Sequence, residues 1–124
     1  MSTVLIVDDY PAIRKALRSL LEKQCSVVCI EATNGHDAIA KAKISRPDLI
    51  ILDLSMPEMD GFEAATVFQK MMPQVPLFML TCHSREVESQ AASVGIRAVF
   101  SKYTDISALV ERTRNLLTPL THLT

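Results

Sequence analysis

An α/β fold of the (βα)5 type is predicted by the sequence, with five parallel strands and helices on both faces of the sheet. Short runs of β-branched and aliphatic residues alternate along the chain with segments whose apolar residues recur at helical spacing. The apolar runs have almost no polar alternation, as expected for strands covered by helices on both sides. The pattern therefore indicates a doubly wound α/β domain.

The five predicted strands are short and apolar. They cover residues 4–7, 27–30, 49–52, 77–80 and 98–100. Pro47 and Pro76 stand just ahead of the third and fourth of them, where a residue without an amide hydrogen does not interrupt a sheet ladder. Each run is therefore predicted to form a short strand.

The five predicted helices follow the strands and carry apolar residues three or four positions apart. Pro11 suits a first helical turn, Asp60 can cap a helix with Glu63 three residues on, and Gly95 suits the position after a helix end. The apolar stripes are Ile13, Ala16, Leu17, Leu20 and Leu21; Ala38, Ile39 and Ala42; Ala64, Val67, Phe68 and Met71; Val87, Ala91 and Val94; and Ile106, Leu109, Val110, Leu116 and Leu117.

Composition limits the number of domains and the classes of partner. With 124 residues, 48% of them hydrophobic, we expect one domain over residues 1–117 and a tail or linker over 118–124. The formal net charge is −1, from 13 basic and 14 acidic side chains scattered along the chain. No block of like charge is present, so we expect no direct binding to nucleic acid or to a membrane surface.

The N-terminal segment and the cysteines favour a cytoplasmic location. The sequence has neither the pattern of a signal peptide nor an apolar stretch of membrane-spanning length. Its three cysteines, Cys25, Cys29 and Cys82, form no C-x-x-C pair, and an odd number is typical of a reduced chain. We expect all three to be small buried hydrophobic residues.

Polar side chains with chemical potential follow the predicted strands. Asp8 and Asp9 come directly after the first strand, Asp53 after the third, Thr81 after the fourth and Lys102 shortly after the fifth. Carboxyl ends of parallel strands share one edge of the sheet, where open α/β folds bind their ligands. Taken singly, each residue could be a cap, a turn residue or a surface residue, but five in register predict a site.

The three carboxylates predict a divalent cation. Clustered carboxylates repel one another unless a counter-charge is present. Oxygen ligands suit Mg²⁺, with Mn²⁺ as an alternative, and a site with few protein ligands leaves positions for water and phosphate oxygens. Zinc is disfavoured because the sequence has no histidine and cysteine set at ligand spacing.

The same group of residues predicts phosphoryl transfer. Transfer of a phosphoryl group needs cations and hydrogen-bond donors around its oxygens, roles that Lys102 and Thr81 fit. A carboxylate can attack phosphorus and form an acyl phosphate, and Asp53 stands alone at the end of a central strand. Asp53 is therefore the predicted nucleophile.

Four stretches match one protein family. They are VLIVDD at positions 4–9, PDLIILDLSMPEMDGFE at 47–63, Leu80 with Thr81, and Lys102. Over nearly its whole length the chain resembles the bacterial response-regulator receiver domains. The resemblance implies a sheet in the order 2-1-3-4-5 and a phosphorylation switch of a two-component system.

The resemblance also implies roles for the site residues. Asp53 would accept the phosphoryl group from a sensor histidine kinase or a phosphotransfer protein. Asp9, Asp53 and the backbone carbonyl of Ser55 would bind Mg²⁺, and Asp8 would act through metal-bound water. Thr81 and Lys102 would respond to the phosphate and shift an output face built from the fourth helix, fifth strand and fifth helix. Such a domain is not an enzyme in the usual sense, since it catalyses its own phosphorylation and dephosphorylation.

Several positions depart from the family pattern or modulate it. Receivers usually carry an aromatic residue three positions before the lysine, where this chain has Val99, and proline after it, where this chain has Tyr103. We expect Phe100 to face the other side of its strand from Val99 and to pack in the core. We expect a trans or strained bond before Tyr103. Some receivers attached to helix-turn-helix domains also lack this proline, so a transcription regulator is a candidate parent protein.

Ser55 and His83 stand two residues beyond Asp53 and Thr81, at positions that in the family tune hydrolysis of the acyl phosphate. An ordinary exposed loop histidine is an equal interpretation of His83. Two other functions stay open. A dehalogenase-like phosphatase would need an aspartate where this chain has Ser55, and a pseudo-receiver would serve as an interaction module without phosphorylation.

Overall fold

The computed structural model describes residues 1–82 and 84–118 and has the predicted alternation of strands and helices. The elements are β1 (Ser2–Val7), α1 (Pro11–Gln24), β2 (Val27–Ala32), α2 (Gly35–Ser45), β3 (Leu49–Asp53), α3 (Gly61–Met71), β4 (Leu77–Thr81), α4 (Ser84–Ser93), β5 (Ile96–Ser101) and α5 (Ile106–Leu117). Every predicted strand and helix is present. The strands extend one to two residues beyond their apolar runs.

The five strands form one parallel sheet in the order β2-β1-β3-β4-β5, which confirms the predicted topology. β2 lies on one side of β1 and β3 on the other, so the direction in which strands are added to the sheet reverses at β1. The carboxyl ends of β1 and β3 therefore border a switch point. Asp53 pairs with Leu80 and Thr81 with Ser101, so the last residues of three strands lie at one edge. The predicted site residues are therefore brought to a single edge of the sheet.

Helices cover both faces of the sheet and create two apolar layers. Leu17 and Leu21 of α1 and Leu109 of α5 pack against one face. Ala38 of α2 and Phe68 of α3 pack against the other face. The residues of β3 are buried throughout, as a central strand covered on both sides requires.

Local signals begin and end the helices as predicted. Pro11 occupies the first turn of α1. In the capping box of α3, the Glu63 amide donates to Asp60 Oδ1 at 2.9 Å and the Asp60 amide donates to Glu63 Oε1 at 3.3 Å. Gly95 follows α4 with a φ of +84°, a left-handed conformation that glycine adopts without strain.

Two predictions about single side chains are settled here. Phe100 is buried and contacts Phe78 edge to face, with ring centroids 5.3 Å apart, whereas Val99 packs on the opposite face. The expectation that all cysteines are buried is wrong for Cys82, which is exposed. Cys82 follows the last residue of β4, and beyond a strand end the chain is no longer covered by helices. Cys25 and Cys29 are buried as expected.

The remaining observations concern the backbone and the chain end. The bond between Lys102 and Tyr103 is trans. Across the described ranges, no helix combines the length and the apolar character needed to cross a membrane. Helix α5 ends at Leu117. The predicted tail or linker starts at Thr118, and its remaining residues, 119–124, lie outside the described residues.

Candidate functional site

The site lies at the carboxyl edge of the sheet, where four strands deliver its side chains. Asp8 follows β1, and its amide donates to the Ala32 carbonyl at the end of β2 at 3.1 Å. Asp53 ends β3 and Thr81 ends β4. The Lys102 amide, just beyond β5, donates to the Thr81 carbonyl at 3.0 Å. Backbone hydrogen bonds therefore continue up to the site residues and fix the position of their main chain.

Three carboxylates converge at this edge. One ligand oxygen from each of Asp8, Asp9 and Asp53 lies within 4.8 Å of the others. Asp8 is 2% exposed and Asp53 is 3% exposed, whereas Asp9 reaches solvent. Two buried carboxylates beside a third repel one another and favour a bound cation.

The Lys102 ammonium supplies one counter-charge. Its Nζ lies 3.0 Å from Asp53 Oδ1 and 3.1 Å from Asp8 Oδ2. Burial on its own would lower the pKa of Lys102, but the hydrogen bond and charge of Asp53, together with the charge of Asp8, raise the pKa above its usual value. Lys102 is therefore a charged side chain that bridges two carboxylates.

Asp53 has an unusual acidity in the absence of a metal ion. Burial raises the pKa of the Asp53 carboxyl to about 6, and the charges of Asp8 and Asp9 act in the same direction, while Lys102 opposes the shift. The ammonium of Lys102 thus does not offset the rise in the pKa of Asp53 that burial and the neighbouring negative charges cause. A second cation would favour the ionised carboxylate.

The residues present fit a divalent cation that prefers oxygen. Asp8 Oδ2 is buried beside Lys102 Nζ, and no other group among residues 1–82 and 84–118 donates a hydrogen bond to it. The clustered ligand atoms are all carboxylate oxygens, the donor type that Mg²⁺ and Mn²⁺ prefer. Asp8, Asp9 and Asp53 could hold such an ion, and the contribution of the Ser55 carbonyl stays a prediction.

An open cleft of about 600 Å³ gives access to the site. Its walls include Ser55 and the predicted phosphate-binding residues Thr81 and Lys102. The further lining residues are Asp9, Tyr10, Ile13, Asp53, Cys82 and Tyr103. Asp53 therefore lines an open cleft together with the predicted phosphate-binding residues. His83, the predicted modulator of hydrolysis, lies outside the described residues.

The loop after Asp53 is held close to the strand by Gly61. The Gly61 amide donates to the Leu54 carbonyl at 2.8 Å. A Cβ atom at Gly61 would stand 2.6 Å from the Asp53 carbonyl oxygen and 2.8 Å from Leu54 Cα. Because both neighbours are backbone atoms, this position requires glycine, and the close approach fixes the chain that carries Asp53.

Arg14 and Glu31 stand behind the site and were not predicted as site residues. Arg14 is 8% exposed, and its Nη1 donates to the Asp8 carbonyl at 2.7 Å. Its Nε donates to Glu31 Oε1 at 2.8 Å. The sequence does contain a signal, because Arg14 stands three residues before Leu17 and seven before Leu21, on the buried stripe of α1.

The sequence comparisons identify relatives over nearly the whole chain. The family model for the response regulator receiver domain matches residues 4–114. Response regulator protein VraR of Staphylococcus aureus is 36% identical over 113 residues, which is 90% of this chain and 54% of that protein. The chain thus spans about half the length of the curated relatives it matches.

Solved structures agree with the family match. Chemotaxis protein CheY4 of Vibrio cholerae is 31% identical with a TM-score of 0.85, over 94% of this chain and 99% of that one. Response regulator protein TrrA of Thermotoga maritima, solved in complex with Mg²⁺ and BeF, is also 31% identical with a TM-score of 0.85, over 94% of this chain and 100% of that one. By sequence and by fold, the chain belongs to the response regulator receiver domains of two-component systems.

Proposed function

We propose that this chain is a phosphorylation switch that accepts a phosphoryl group on Asp53 with Mg²⁺ as cofactor. The single observation that carries the proposal is the position of Lys102, whose Nζ bridges Asp53 Oδ1 at 3.0 Å and Asp8 Oδ2 at 3.1 Å. A cation held between an acceptor carboxylate and an acidic pair suits a transferred phosphoryl group, whose charge is spread over its oxygens.

In the proposed reaction, an oxygen of the ionised Asp53 carboxylate forms a bond to phosphorus. The bond between phosphorus and the leaving group of the donor breaks, and that group departs with the bonding electrons. For a phosphohistidine donor the leaving group is the imidazole of the kinase or phosphotransfer protein. A bound Mg²⁺ would neutralise negative charge on the carboxylates and on the phosphoryl oxygens.

The other site residues have distinct proposed roles. Asp8, Asp9, Asp53 and the Ser55 carbonyl would hold Mg²⁺, with Asp8 acting through water. Lys102 would move from its ion pair with Asp53 to the new phosphoryl group, since phosphorylation removes the charge of the Asp53 carboxylate and places negative charge on the phosphoryl oxygens. Thr81 would donate its hydroxyl to a phosphoryl oxygen, and it already lies at the end of β4 facing the cleft.

The switch would act on a partner or on a further domain. We propose that repositioning of Thr81 and Lys102 shifts the face formed by α4, β5 and α5 between two arrangements. Since the chain spans about half the length of its curated relatives, an output domain in the parent protein is part of the proposal, with DNA binding as a candidate activity. We also propose a cytoplasmic location, which the free cysteines support.

The decisive experiment offers acetyl phosphate and Mg²⁺ to the chain and to Asp53→Asn. Intact-protein mass spectrometry is expected to find one added phosphoryl group per chain, lost on treatment with hydroxylamine as acyl phosphates are. The Asn variant is expected to remain unmodified, because its amide is not a nucleophile. A variant that still acquires a hydroxylamine-sensitive group would show that the acceptor is another residue.

The same experiment separates the alternative functions. Continued release of inorganic phosphate at a rate far above decay of the modified chain would indicate a phosphatase. Ser55 stands where such an enzyme needs an aspartate as general acid, which argues against this outcome. No modification by acetyl phosphate, and no change in NMR spectrum with beryllofluoride and Mg²⁺, would instead indicate a pseudo-receiver.

A further inference from the structure

Arg14 is a buried cation that contacts the main chain of Asp8, the first residue of the acid pair. A buried guanidinium costs free energy unless its charge and its donors are matched. Here Nη1 donates to the Asp8 carbonyl at 2.7 Å and Nε donates to Glu31 Oε1 at 2.8 Å. Neither contact is used by the proposed phosphoryl transfer, so the arrangement needs its own explanation.

Asp8 is held at three points by hydrogen bonds other than its contact with Lys102. Its amide donates to the Ala32 carbonyl at 3.1 Å, its carbonyl accepts from Arg14, and its Oδ1 accepts from the Tyr10 amide at 2.8 Å. Its Oδ2 faces Lys102 Nζ at 3.1 Å and accepts no hydrogen bond from any other group within the described ranges. The orientation of Asp8 is thus set before any ligand arrives.

Glu31, the other residue that Arg14 contacts, is held in place by further hydrogen bonds. Glu31 Oε2 accepts from Arg18 Nη1 at 3.0 Å, and the Glu31 carbonyl accepts from Lys41 Nζ at 2.7 Å. Burial alone would raise the pKa of Glu31, but the hydrogen bonds from Arg18 and Arg14 lower it below its usual value. Glu31 is therefore ionised, and Arg14 ties the turn after β1 to the end of β2.

We propose that Arg14 is a positioning residue for the metal site, acting through the main-chain carbonyl of Asp8. The inference rests on the proposed function, because it concerns the Mg²⁺ that Asp8 and Asp9 would hold. Without Arg14 the turn can relax, and the repulsion between neighbouring carboxylates then favours arrangements in which they no longer converge. Arg14 would therefore affect how tightly Mg²⁺ binds and leave the chemical step at saturating Mg²⁺ unchanged.

The test compares Arg14→Ala with Arg18→Ala by calorimetric titration of Mg²⁺ into the metal-free chain. Arg18 pairs with Glu31 and with Glu22, and in the part of the chain that the structure describes it has no hydrogen bond or ion pair with Asp8, so it controls for loss of an ion pair to Glu31. Groups that orient metal ligands typically contribute at least tenfold to affinity, so we expect Mg²⁺ to bind Arg14→Ala about tenfold more weakly. Arg18→Ala is expected to bind like the unaltered chain.

A second readout separates positioning from loss of structure. With acetyl phosphate, Arg14→Ala is expected to need more Mg²⁺ for half-maximal modification while reaching the same maximal rate. Arg14→Lys keeps the charge but replaces the planar guanidinium, whose Nη1 and Nε each reach one acceptor, by a single ammonium. An intermediate Mg²⁺ requirement is therefore expected, and this variant replaces the alanine variant if that does not fold.

Three results would overturn the role of Arg14. They are unchanged Mg²⁺ affinity in a folded Arg14 variant, equal weakening in Arg14→Ala and Arg18→Ala, and a lower maximal rate with unchanged affinity. Failure of the proposed function has a different appearance, since the unaltered chain would then bind no Mg²⁺ or would bind it without acquiring a phosphoryl group. In the latter case the affinity comparison still tests Arg14.

Discussion

The turn after β1 and the turn after β4 lie at the same edge of the sheet but are supported differently. The first leads into α1, which buries Arg14, Leu17 and Leu21 and returns a hydrogen bond to the Asp8 carbonyl. The second leads into α4, where Ala91 is the buried residue among the described side chains and Val87 is half-buried; Val94, just after the helix, is half-buried too. Far less apolar surface therefore stabilises the second turn.

Under the proposed function, this contrast suits the two halves of the site to different physical tasks. Metal binding benefits from ligands that are held in place before the ion arrives, which the turn after β1 provides. A switch needs an element whose rearrangement costs little free energy, and elements with few buried apolar contacts have the lowest opening free energies. The turn at Thr81 and the helix that follows it meet that requirement.

The largest expected effect comes from the packing of the two helices. Leu17→Ala removes a side chain that is 2% exposed and is expected to lower the free energy of unfolding by about 3 kcal/mol. Val87→Ala is its counterpart on α4, and because Val87 is half-buried we expect a loss of about 1 kcal/mol. Urea denaturation measures both. Equal losses would show that α4 is anchored as firmly as α1.

A smaller effect is expected from Asp53→Asn, this time a gain in stability without Mg²⁺. The pKa of Asp53 is raised from 3.8 to about 6 in the folded chain, so the folded state binds the extra proton between these values. The free energy of unfolding therefore falls as pH rises from about 4 to about 6, and the cost persists above that range. At neutral pH the Asn variant should be more stable by about 2 to 3 kcal/mol, since each pKa unit corresponds to about 1.4 kcal/mol.

The pH profile of denaturation checks this prediction. The unaltered chain should lose stability across that interval, and the Asn variant should lack this part of the slope. Mg²⁺ should stabilise the unaltered chain more than the variant, because an ion that binds the folded state shifts the equilibrium towards it. A variant that is less stable than the unaltered chain at neutral pH would contradict the raised pKa of Asp53.

The fold and the gathering of the site were predictable because both follow from which residues stand at strand ends. Asp8, Asp53 and Thr81 each follow an apolar run, and parallel strands deliver such residues to one edge. The bounds of the strands were less predictable. β1 begins at Ser2, before its apolar run, and β2 extends to Ala32, after its run, because backbone pairing between the two strands continues beyond the apolar residues.

Side-chain surroundings were harder to predict. Cys82 is exposed although cysteine is commonly buried, because its burial depends on what covers the chain beyond β4. Arg14 and Glu31 are 17 positions apart, and nothing in the sequence reveals that they share a hydrogen bond until the register of β1 and β2 is known. The contact behind the site is a product of three-dimensional packing.

The smallest expected effect probes the turn after β4 directly through Cys82. Its thiol is exposed and lines the cleft with Asp53, while Cys25 and Cys29 are buried and burial raises the pKa of Cys29 to about 12. Since thiolates are the reactive species, Ellman's reagent should find one fast thiol in the native chain. Beryllofluoride with Mg²⁺ should slow that reaction severalfold by occupying the cleft.

Two controls make the thiol measurement specific. Cys82→Ser should remove the fast phase, and denaturation should release the thiols of Cys25 and Cys29 as well. Mg²⁺ alone should slow Cys82 less than Mg²⁺ with beryllofluoride, because a phosphoryl analogue on Asp53 fills more of the cleft than the metal ion and, in the proposed function, interacts with Thr81, the residue before Cys82. Equal rates without additions, with Mg²⁺ alone and with Mg²⁺ and beryllofluoride would mean that the turn after β4 does not respond to the site. That result would contradict the division of the site into a fixed and a responsive half.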